Sequence, residues 1–219
     1  MNRRTFVVLT AGGVVAAFGG AAWWVNRPAP VEDVSPPPPE ISERLVRPYS
    51  PVLGPEEAPV TIVEFFDPAC EACRAFYPVV EEIMTDYPED VRVILRYTPF
   101  HGEGSELAIK VLETARIQNV FVPVLEALLE NQQAWASHNS PAAERIFQIA
   151  GGVGLDVERA RRDVMMPGVV ATLNQDRADV EAVGIRQTPT FFVNGKPLEP
   201  FGEAELRALV EREVEGARP

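Results

Sequence analysis

The residues best suited to chemistry are two cysteines three positions apart, Cys70 and Cys73, the only cysteines in the 219-residue chain. Two thiols at this spacing can close a small disulfide ring and exchange it with the thiols of another protein. Cys70 is predicted at a helix N-terminus, where unpaired N–H groups and the helix dipole lower the pKa of a thiol below its free value of about 8.5. Cys73 lies one turn further on and faces inward. We therefore predict that Cys70 reacts with the substrate and that Cys73 resolves the mixed disulfide.

Three other uses of the pair stay open on the residues alone. A zinc site needs three or four ligands, yet the chain has no second C-x-x-C motif and only two histidines, His101 and His138. A Cu(I) site could add Met165 and Met166, although methionines in helical sequence more often serve packing. A purely structural disulfide is the third alternative. The ligand count disfavours a metal, and no metal site is predicted.

A βαβ unit is predicted to carry the cysteine pair. Val60–Phe66 is rich in β-branched and aromatic residues, as a buried strand would be, and Asp67-Pro68 ends it just before the pair. After the pair, apolar residues recur every three or four positions as far as Tyr87, which indicates an amphipathic helix. Val91–Tyr97 has strand character again. A strand, a helix and a strand at this spacing predict two parallel strands with a right-handed crossover.

A helical block and a second strand pair follow. Helical spacing extends from about residue 104 to about residue 183, and two helix starts inside it carry capping residues, Ser140-Pro141 and Asp156. Thr190–Asn194 is strand-like, Asn194-Gly195 is a hairpin turn signal, and Lys196–Pro200 can pair back. A last helix runs from about Glu203 to Val214. This order predicts an α/β architecture with a helical insertion between a βαβ unit and a ββα unit.

Together these motifs resemble the thioredoxin-fold disulfide oxidoreductases of the DsbA type, over roughly residues 51–214. Glu64-Phe65-Phe66 precedes the cysteine pair as Glu-Phe-Phe does in that family, and Pro78 resembles the proline that kinks its active-site helix. Residues 184–195 look like the family segment Gly-x-x-x-Thr-Pro-Thr-Phe-Phe-x-Asn-Gly. The resemblance implies a thioredoxin-like fold and a protein thiol–disulfide oxidoreductase that uses no cofactor.

The resemblance also implies roles for residues around the pair. Pro189 matches a proline that is cis in the family and lies beside the two cysteines. Thr188 would then present extended backbone next to Cys70, where a substrate peptide could pair with it as an added strand. Glu64 is a charged residue in an otherwise apolar strand. If it is buried near the thiols, its pKa rises and it could relay the proton of Cys73.

Some residues depart from the best-known members of this group. Ala69 stands where ordinary thioredoxins have tryptophan, and the helical block is far longer than their crossover, so both features favour the DsbA type. Glu71-Ala72 lies between the cysteines, and a carboxylate beside Cys70 should oppose thiolate formation. We therefore predict a couple less oxidising than the strongest DsbA proteins. A Cys70 pKa near ~3.5, the value of the strongest oxidant, would contradict this prediction.

The N-terminal segment is predicted to direct the chain out of the cytoplasm. Arg3-Arg4 precedes an uncharged stretch, residues 5–26, that is long enough to cross a bilayer and ends near Trp23 and Trp24. The arginine pair resembles a twin-arginine export signal. Residues 1–27 are therefore interpreted as either a cleaved export signal or an N-terminal membrane anchor. Both interpretations place the remainder in the periplasm or on the outer face of the inner membrane.

A change of composition marks the next boundary. Residues 28–57 are rich in proline, with an unbroken run at residues 36–39. Such sequence favours extended polyproline conformation and forms no core, so a spacer is predicted here. Residues 58–219 remain as the folded domain.

Charge and composition narrow the function further. The chain has 20 Lys and Arg against 32 Asp and Glu, a formal net charge of −12, which excludes the electrostatic footprint of a nucleic-acid-binding protein. We predict an extracytoplasmic thiol–disulfide oxidoreductase that acts on cysteine-containing protein substrates and is recycled by a membrane or periplasmic redox partner. The direction of electron flow stays open. The alternative is a non-enzymatic extracytoplasmic module, soft-metal-binding or chaperone-like, that uses the two thiols.

Overall fold

The structure is a computed structural model and describes residues 38–136 and 142–218. The segment predicted as export signal or anchor, residues 1–27, lies outside this range. Within the described residues, no helix combines the length and the apolar character needed to cross a membrane. The elements in chain order are α1 (Pro39–Leu45), β1 (Val52–Leu53), β2 (Val60–Phe66), α2 (Glu71–Asp86), β3 (Val91–Tyr97), α3 (Gly102–Ile117), α4 (Phe121–Glu130), α5 (Gln132–Trp135), α6 (Ala143–Gly152), α7 (Val157–Asp163), α8 (Pro167–Val183), β4 (Thr190–Val193), β5 (Lys196–Pro197) and α9 (Glu203–Ala217).

The five strands form one sheet in the order β1-β3-β2-β4-β5. β2 and β3 are parallel and are joined by α2, so the predicted βαβ unit is confirmed. β4 runs antiparallel to β2, and β5 runs antiparallel to β4. Asn194 and Gly195 have φ values of 48° and 80° and make the turn between β4 and β5. The sheet therefore brings the strand before the cysteine pair next to the strand that follows Pro189.

Both faces of the sheet are covered, which explains the nearly continuous apolar sequence of β2. Ile62 and Phe66 point to a large core shared with α2, α9 and the helices after β3. Val63 and Phe65 point to the opposite face, because successive strand residues alternate sides, and they pack in a smaller core with Val180 of α8.

The predicted helical insertion lies between β3 and β4 and consists, within the described residues, of the six helices α3 to α8. Leu125 and Trp135 of the insertion are fully buried in the same core as β2, so the insertion and the sheet form one packed unit. The Asp156 side chain caps α7, as predicted, by accepting a hydrogen bond of 2.9 Å from the Arg159 N–H. The helix start predicted at Ser140-Pro141 lies outside the described residues.

The segment before β2 differs from the predicted spacer. Residues 39–45 form α1, and Val52–Leu53 form β1, which pairs antiparallel with β3. Leu45 is only 2% exposed and belongs to the smaller core. The prediction of a spacer reaching residue 57 is therefore wrong for residues 39–53. Tertiary contacts, which the proline content does not reveal, decide the conformation of this segment.

A buried ion cluster holds this segment against α8. Arg96 of β3 is fully buried and contacts Asp176 at 2.8 Å and Asp179 at 2.7 Å. Asp179 also accepts two hydrogen bonds of 2.7 Å from Arg47, and the Tyr49 hydroxyl donates to Asp176 at 2.8 Å. Because a buried charge is tolerated only when it is paired and hydrogen-bonded, these five side chains depend on one another. The cluster ties residues 44–49 to the sheet and to the insertion.

Candidate active site

Cys70 lies where the loop after β2 turns into the active-site helix. It is the N-cap of α2, with extended backbone (φ −78°, ψ 123°), as predicted. Its side chain reaches across to the other end of the site, and the Cys70 Sγ lies 3.2 Å from the carbonyl oxygen of Thr188. Both cysteines are free thiols in this structure. Cys70 is 6% exposed and Cys73 is fully buried, so the predicted asymmetry in exposure is confirmed.

The surroundings of Cys70 lower its pKa from 9.0 to about 5. The largest cause is a hydrogen bond with the Cys73 thiol, and burial acts in the opposite direction. The Thr188 side chain and the backbone N–H groups of Cys73 and Ala72 also lower it. These N–H groups belong to the first turn of α2, whose dipole favours an anion at this end. Cys70 is therefore a thiolate at neutral pH when the pair is reduced.

Cys73 has the opposite character. Burial raises its pKa far above the ordinary thiol value, and the hydrogen bond to Cys70 and the charge of Glu64 act in the same direction. The backbone N–H of Asp67 lies 3.5 Å from the Cys73 Sγ and lowers the pKa, a smaller influence than burial. Cys73 therefore stays protonated in the reduced pair and needs a base before it can attack a disulfide.

Glu64 lies in the middle of β2, between Leu95 of β3 and Phe191 of β4. It is 2% exposed, and its Oε1 makes no hydrogen bond with the described part of the chain. Burial raises its pKa to about 8, and the nearby Cys70 charge adds to the effect. Glu64 is therefore buried, and its pKa is raised as expected for a carboxyl group in that position. A carboxyl group with this pKa can gain or lose a proton near neutral pH.

The segment before β4 completes the site. The Thr188–Pro189 peptide bond is cis, as predicted, and the Thr188 carbonyl oxygen faces Cys70. Among the described residues, no backbone group pairs with the Thr188 N–H. Thr188 therefore offers backbone hydrogen-bonding groups beside the reactive sulfur. The structure thus brings Glu64, Cys70, Cys73, Thr188 and Pro189 together.

Asp67 is a central residue of the site that was interpreted from the sequence only as a strand breaker. Its carboxylate is fully buried and accepts hydrogen bonds from the backbone N–H groups of Ala69 (2.9 Å), Phe100 (2.8 Å) and His101 (3.1 Å). The Ser105 hydroxyl donates to it at 2.5 Å, and the His101 Nδ1 lies 2.7 Å away. Asp67 therefore joins the cysteine loop to the start of α3. The sequence did not place His101 near the site; the structure does.

Gln132 of α5 is a second site residue that could not be selected from the sequence. Its side chain is 1% exposed, and its Nε2 donates to the carbonyl oxygens of Pro68 (2.8 Å) and Cys70 (2.9 Å). Within the described residues, its Oε1 has no hydrogen-bond partner. One amide from the helical insertion therefore fixes the loop that presents the reactive thiol.

Replacing Gln132 by leucine is expected to loosen this loop. Two buried carbonyl groups lose their donor, which typically costs about 1–3 kcal/mol of unfolding free energy. The pKa of Cys70 is expected to rise, because the N–H groups that stabilise its thiolate are no longer held in place. Thiolate absorbance against pH and denaturant unfolding measure the two effects. Gln133→Leu makes the same change at the exposed neighbour and serves as the control. An unchanged Cys70 pKa in Gln132→Leu would contradict the expectation.

The zinc and Cu(I) alternatives need further ligands besides the two cysteines. Within the described residues, no group of three or more His, Cys, Asp or Glu side chains is placed to hold a metal ion. Met165 and Met166, the candidates for a soft-metal site, are 68% and 43% exposed at the junction of α7 and α8. His138 lies outside the described residues.

Comparison with known proteins agrees with the geometry. A thioredoxin family model matches residues 47–212, three quarters of the chain. The chain belongs to the thioredoxin family. It is 32% identical to a thioredoxin-like oxidoreductase from Silicibacter pomeroyi DSS-3, with 78% of this chain and 95% of that one covered and a TM-score of 0.68. It is 25% identical to oxidised BdbD from Bacillus subtilis, with 84% of this chain and 98% of that one covered and a TM-score of 0.69.

The fold is the DsbA-like variant of this family. Wolbachia pipientis alpha-DsbA1 is 17% identical and superposes with a TM-score of 0.71, over 81% of this chain and 96% of that one, so the likeness is one of fold. The helical insertion between the βαβ and ββα units, which favoured the DsbA type over ordinary thioredoxins, is present, and the resemblance is confirmed.

The curated relatives found by sequence comparison are longer proteins that are named Na⁺/H⁺ antiporters. The chain is 31% identical over 198 residues to a Na⁺/H⁺ antiporter NhaA of Herminiimonas arsenicoxydans, a match that spans 89% of this chain and 30% of that protein. The chain is also 30% identical to NhaA 1 of Mycobacterium sp. strain KMS, a match that spans 80% of this chain and 29% of that protein. The chain thus spans about a third of the length of these relatives, and the antiporter name describes those whole proteins.

Proposed function

We propose that this chain is an extracytoplasmic thiol–disulfide oxidoreductase that exchanges disulfides with cysteine-containing protein substrates. The observation that carries the proposal is the unequal thiol pair, in which Cys70 is 6% exposed and has a pKa of about 5, whereas Cys73 is fully buried and has a strongly raised pKa. Thiol–disulfide exchange requires one sulfur that reacts with the substrate and a second that closes the ring.

In the oxidised protein, the reaction begins with a substrate thiolate. It attacks the Cys70 sulfur, forms the mixed disulfide and breaks the Cys70–Cys73 bond. Cys73 leaves as a thiolate and takes a proton, for which protonated Glu64 is the donor. A second substrate thiolate then attacks the substrate sulfur of the mixed disulfide and releases Cys70 as a thiolate. The substrate gains one disulfide, and the protein pair accepts its two electrons.

The low pKa of Cys70 favours this oxidising direction. A thiol of low pKa is a good leaving group, and its thiolate stabilises the reduced protein. At pH 7, a pKa of about 5 in place of 9.0 favours the reduced form by about 3 kcal/mol, or roughly 60 mV for a two-electron couple. A membrane or periplasmic redox partner would then reoxidise the pair.

Two surfaces beside Cys70 support a polypeptide substrate. The Thr188 N–H, which has no backbone partner among the described residues, can pair with an extended peptide as a short added strand. One turn after Cys73 on α2, Phe76 packs against Phe191 (5.6 Å between ring centroids) and Phe201 (4.8 Å), and Phe201 is 44% exposed. An exposed aromatic surface next to a reactive thiol suits the apolar side chains of an unfolded protein.

The export segment proposed for residues 1–27 supports a location of this activity outside the cytoplasm. Arg3-Arg4 and the uncharged residues 5–26 support either a cleaved signal or an anchor that holds the domain at the membrane. The net charge of −12 supports protein partners over nucleic acid.

An exchange assay with the full chain tests the proposal. The oxidised protein is expected to introduce a disulfide into a reduced, unfolded protein, and the reduced protein to cleave the disulfides of insulin. Cys70→Ala should lose both activities. Retention of Cu(I) by a protein that shows no exchange would favour the soft-metal alternative and overturn the proposal.

A further inference from the structure

A cleft of about 600 Å³ opens beside the Thr188 segment and is not used by the mechanism above. Its lining residues come from the loop after β3, from α8 and from the residues before the cis peptide bond; they are Pro99, Phe100, Arg177, Val180, Glu181, Ile185 and Arg186. Arg186 precedes Thr188 by two residues, about 7 Å along an extended chain. The cleft therefore borders the path that a substrate backbone would follow past Cys70.

The floor and one wall of the cleft are apolar and firmly held. Val180 and Ile185 are buried in the smaller core and form the floor. Phe100 forms a wall and is 45% exposed. Its backbone N–H donates to Asp67, the residue that also holds the cysteine loop, so the wall and the reactive thiol share one support. An apolar floor of this kind suits the methylene groups of a side chain.

The rim of the cleft carries charged side chains of both signs, and one of the cations has no partner among the described residues. The Arg177 guanidinium is paired with Glu106, and Glu181 contributes one carboxylate to the lining. Arg186 is exposed and has no ion pair or side-chain hydrogen bond with any residue in the described ranges. Arg186 thus adds a positive charge to the rim of the cleft, two residues before Thr188, that no described acidic side chain pairs with. It favours an anionic group on whatever enters the cleft.

We propose that this cleft binds the substrate side chain two positions from the reactive cysteine and that Arg186 selects an acidic residue there. The inference rests on the proposed function and names a class of substrate for it. Residues two apart on an extended strand point to the same side, so a substrate paired with Thr188 presents such a side chain to the cleft. Its methylene groups lie on Val180 and Ile185, and its carboxylate faces Arg186.

A peptide series tests this assignment. The oxidised full chain is mixed with reduced peptides that carry one cysteine and either Glu, Gln or Lys two positions before or after it, and the rate of mixed-disulfide formation is measured. Glu is expected to react fastest and Lys slowest in one of the two positions, with a ratio of roughly three- to tenfold at low salt and less at high salt. Arg186→Glu is expected to reverse the order.

Arg162→Glu is the matched control, because it makes the same charge change at an exposed position of α7, which packs against α3 and α6. It should keep the order of the native protein. Equal rates for the three peptides, or a preference for Lys, with exchange intact would overturn the cleft assignment and leave the proposed function standing. Absence of any mixed disulfide would overturn the proposed function and the assignment with it.

Discussion

Replacing Cys73 by serine is expected to stop turnover and to leave the protein joined to its substrate through Cys70. The Cys70 thiolate can still attack a substrate disulfide, but no buried thiol is then available to resolve the mixed disulfide. Turnover should fall to the background rate, while the adduct accumulates in a one-to-one ratio. Non-reducing electrophoresis and peptide mass spectrometry of the adduct measure both effects.

Cys70→Ser is the matched control for this trap. It leaves Cys73 as the only thiol, and that sulfur is fully buried with a strongly raised pKa. The control is therefore expected to form almost no adduct with the same substrate. Equal adduct formation by the two variants would show that the thiols are equivalent and would contradict the roles derived from the structure.

Replacing Glu64 by glutamine is expected to change both the pH dependence of stability and the rate of exchange. The folded-state pKa of Glu64 is about 8, against an ordinary value of 4.5. A raised pKa means that the folded protein holds this proton more tightly than the unfolded chain does. The stability linked to Glu64 is therefore fully present below pH 4.5 and is lost as the pH rises through 8. At about 1.4 kcal/mol per pKa unit, this loss amounts to several kcal/mol.

The difference between the native protein and Glu64→Gln isolates this contribution, because the opposite pH dependence of Cys70 is common to both. Unfolding free energies of the reduced proteins at a series of pH values should show the native protein losing stability relative to the variant above pH 4.5. Without a titratable proton for Cys73, exchange by the variant is expected to slow by roughly 10²-fold. Glu211→Gln, at an exposed position of α9, is the control. Parallel stability curves for the native protein and Glu64→Gln would contradict the buried, protonated Glu64.

The sequence was sufficient to predict those strands whose conformation is determined by the residue types within them. Val60–Phe66 and Val91–Tyr97 form strands with the predicted bounds, because an uninterrupted apolar, β-branched sequence has few other stable uses. The cysteine pair could be predicted from its residue types and spacing, which indicate its chemistry without knowledge of the fold. The role of the Thr188-Pro189 segment was predicted from its resemblance to the family segment.

The polar contacts that support the site could not be predicted, because each joins residues that are distant in sequence. Gln132 binds the carbonyl oxygen of a residue 62 positions away, and Asp67 accepts from Phe100, 33 positions away. In the sequence, both look like ordinary solvent-exposed side chains. The same holds for Arg96 and Asp179, whose ion pair spans 83 positions and determines where the segment before β2 is held.

The carboxylate between the two cysteines leaves one prediction still to be measured. Glu71 is expected to oppose the thiolate of Cys70, and the structure gives that thiol a pKa of about 5, above the ~3.5 of the strongest oxidants. The couple is therefore expected to be oxidising, but less so than the strongest DsbA proteins. Measurement of its reduction potential against glutathione tests whether the couple is less oxidising than the strongest DsbA proteins.

Titration of the Cys70 thiolate in the reduced protein tests the central claim most directly. Ultraviolet absorbance of the thiolate, or the alkylation rate of Cys70 followed by mass spectrometry, is recorded against pH, with Cys70→Ser as the blank. The structure predicts a midpoint near pH 5 and no titration of Cys73 below pH 9. A midpoint near 9.0, the value of an unperturbed thiol, would contradict the view that this site is built to activate Cys70.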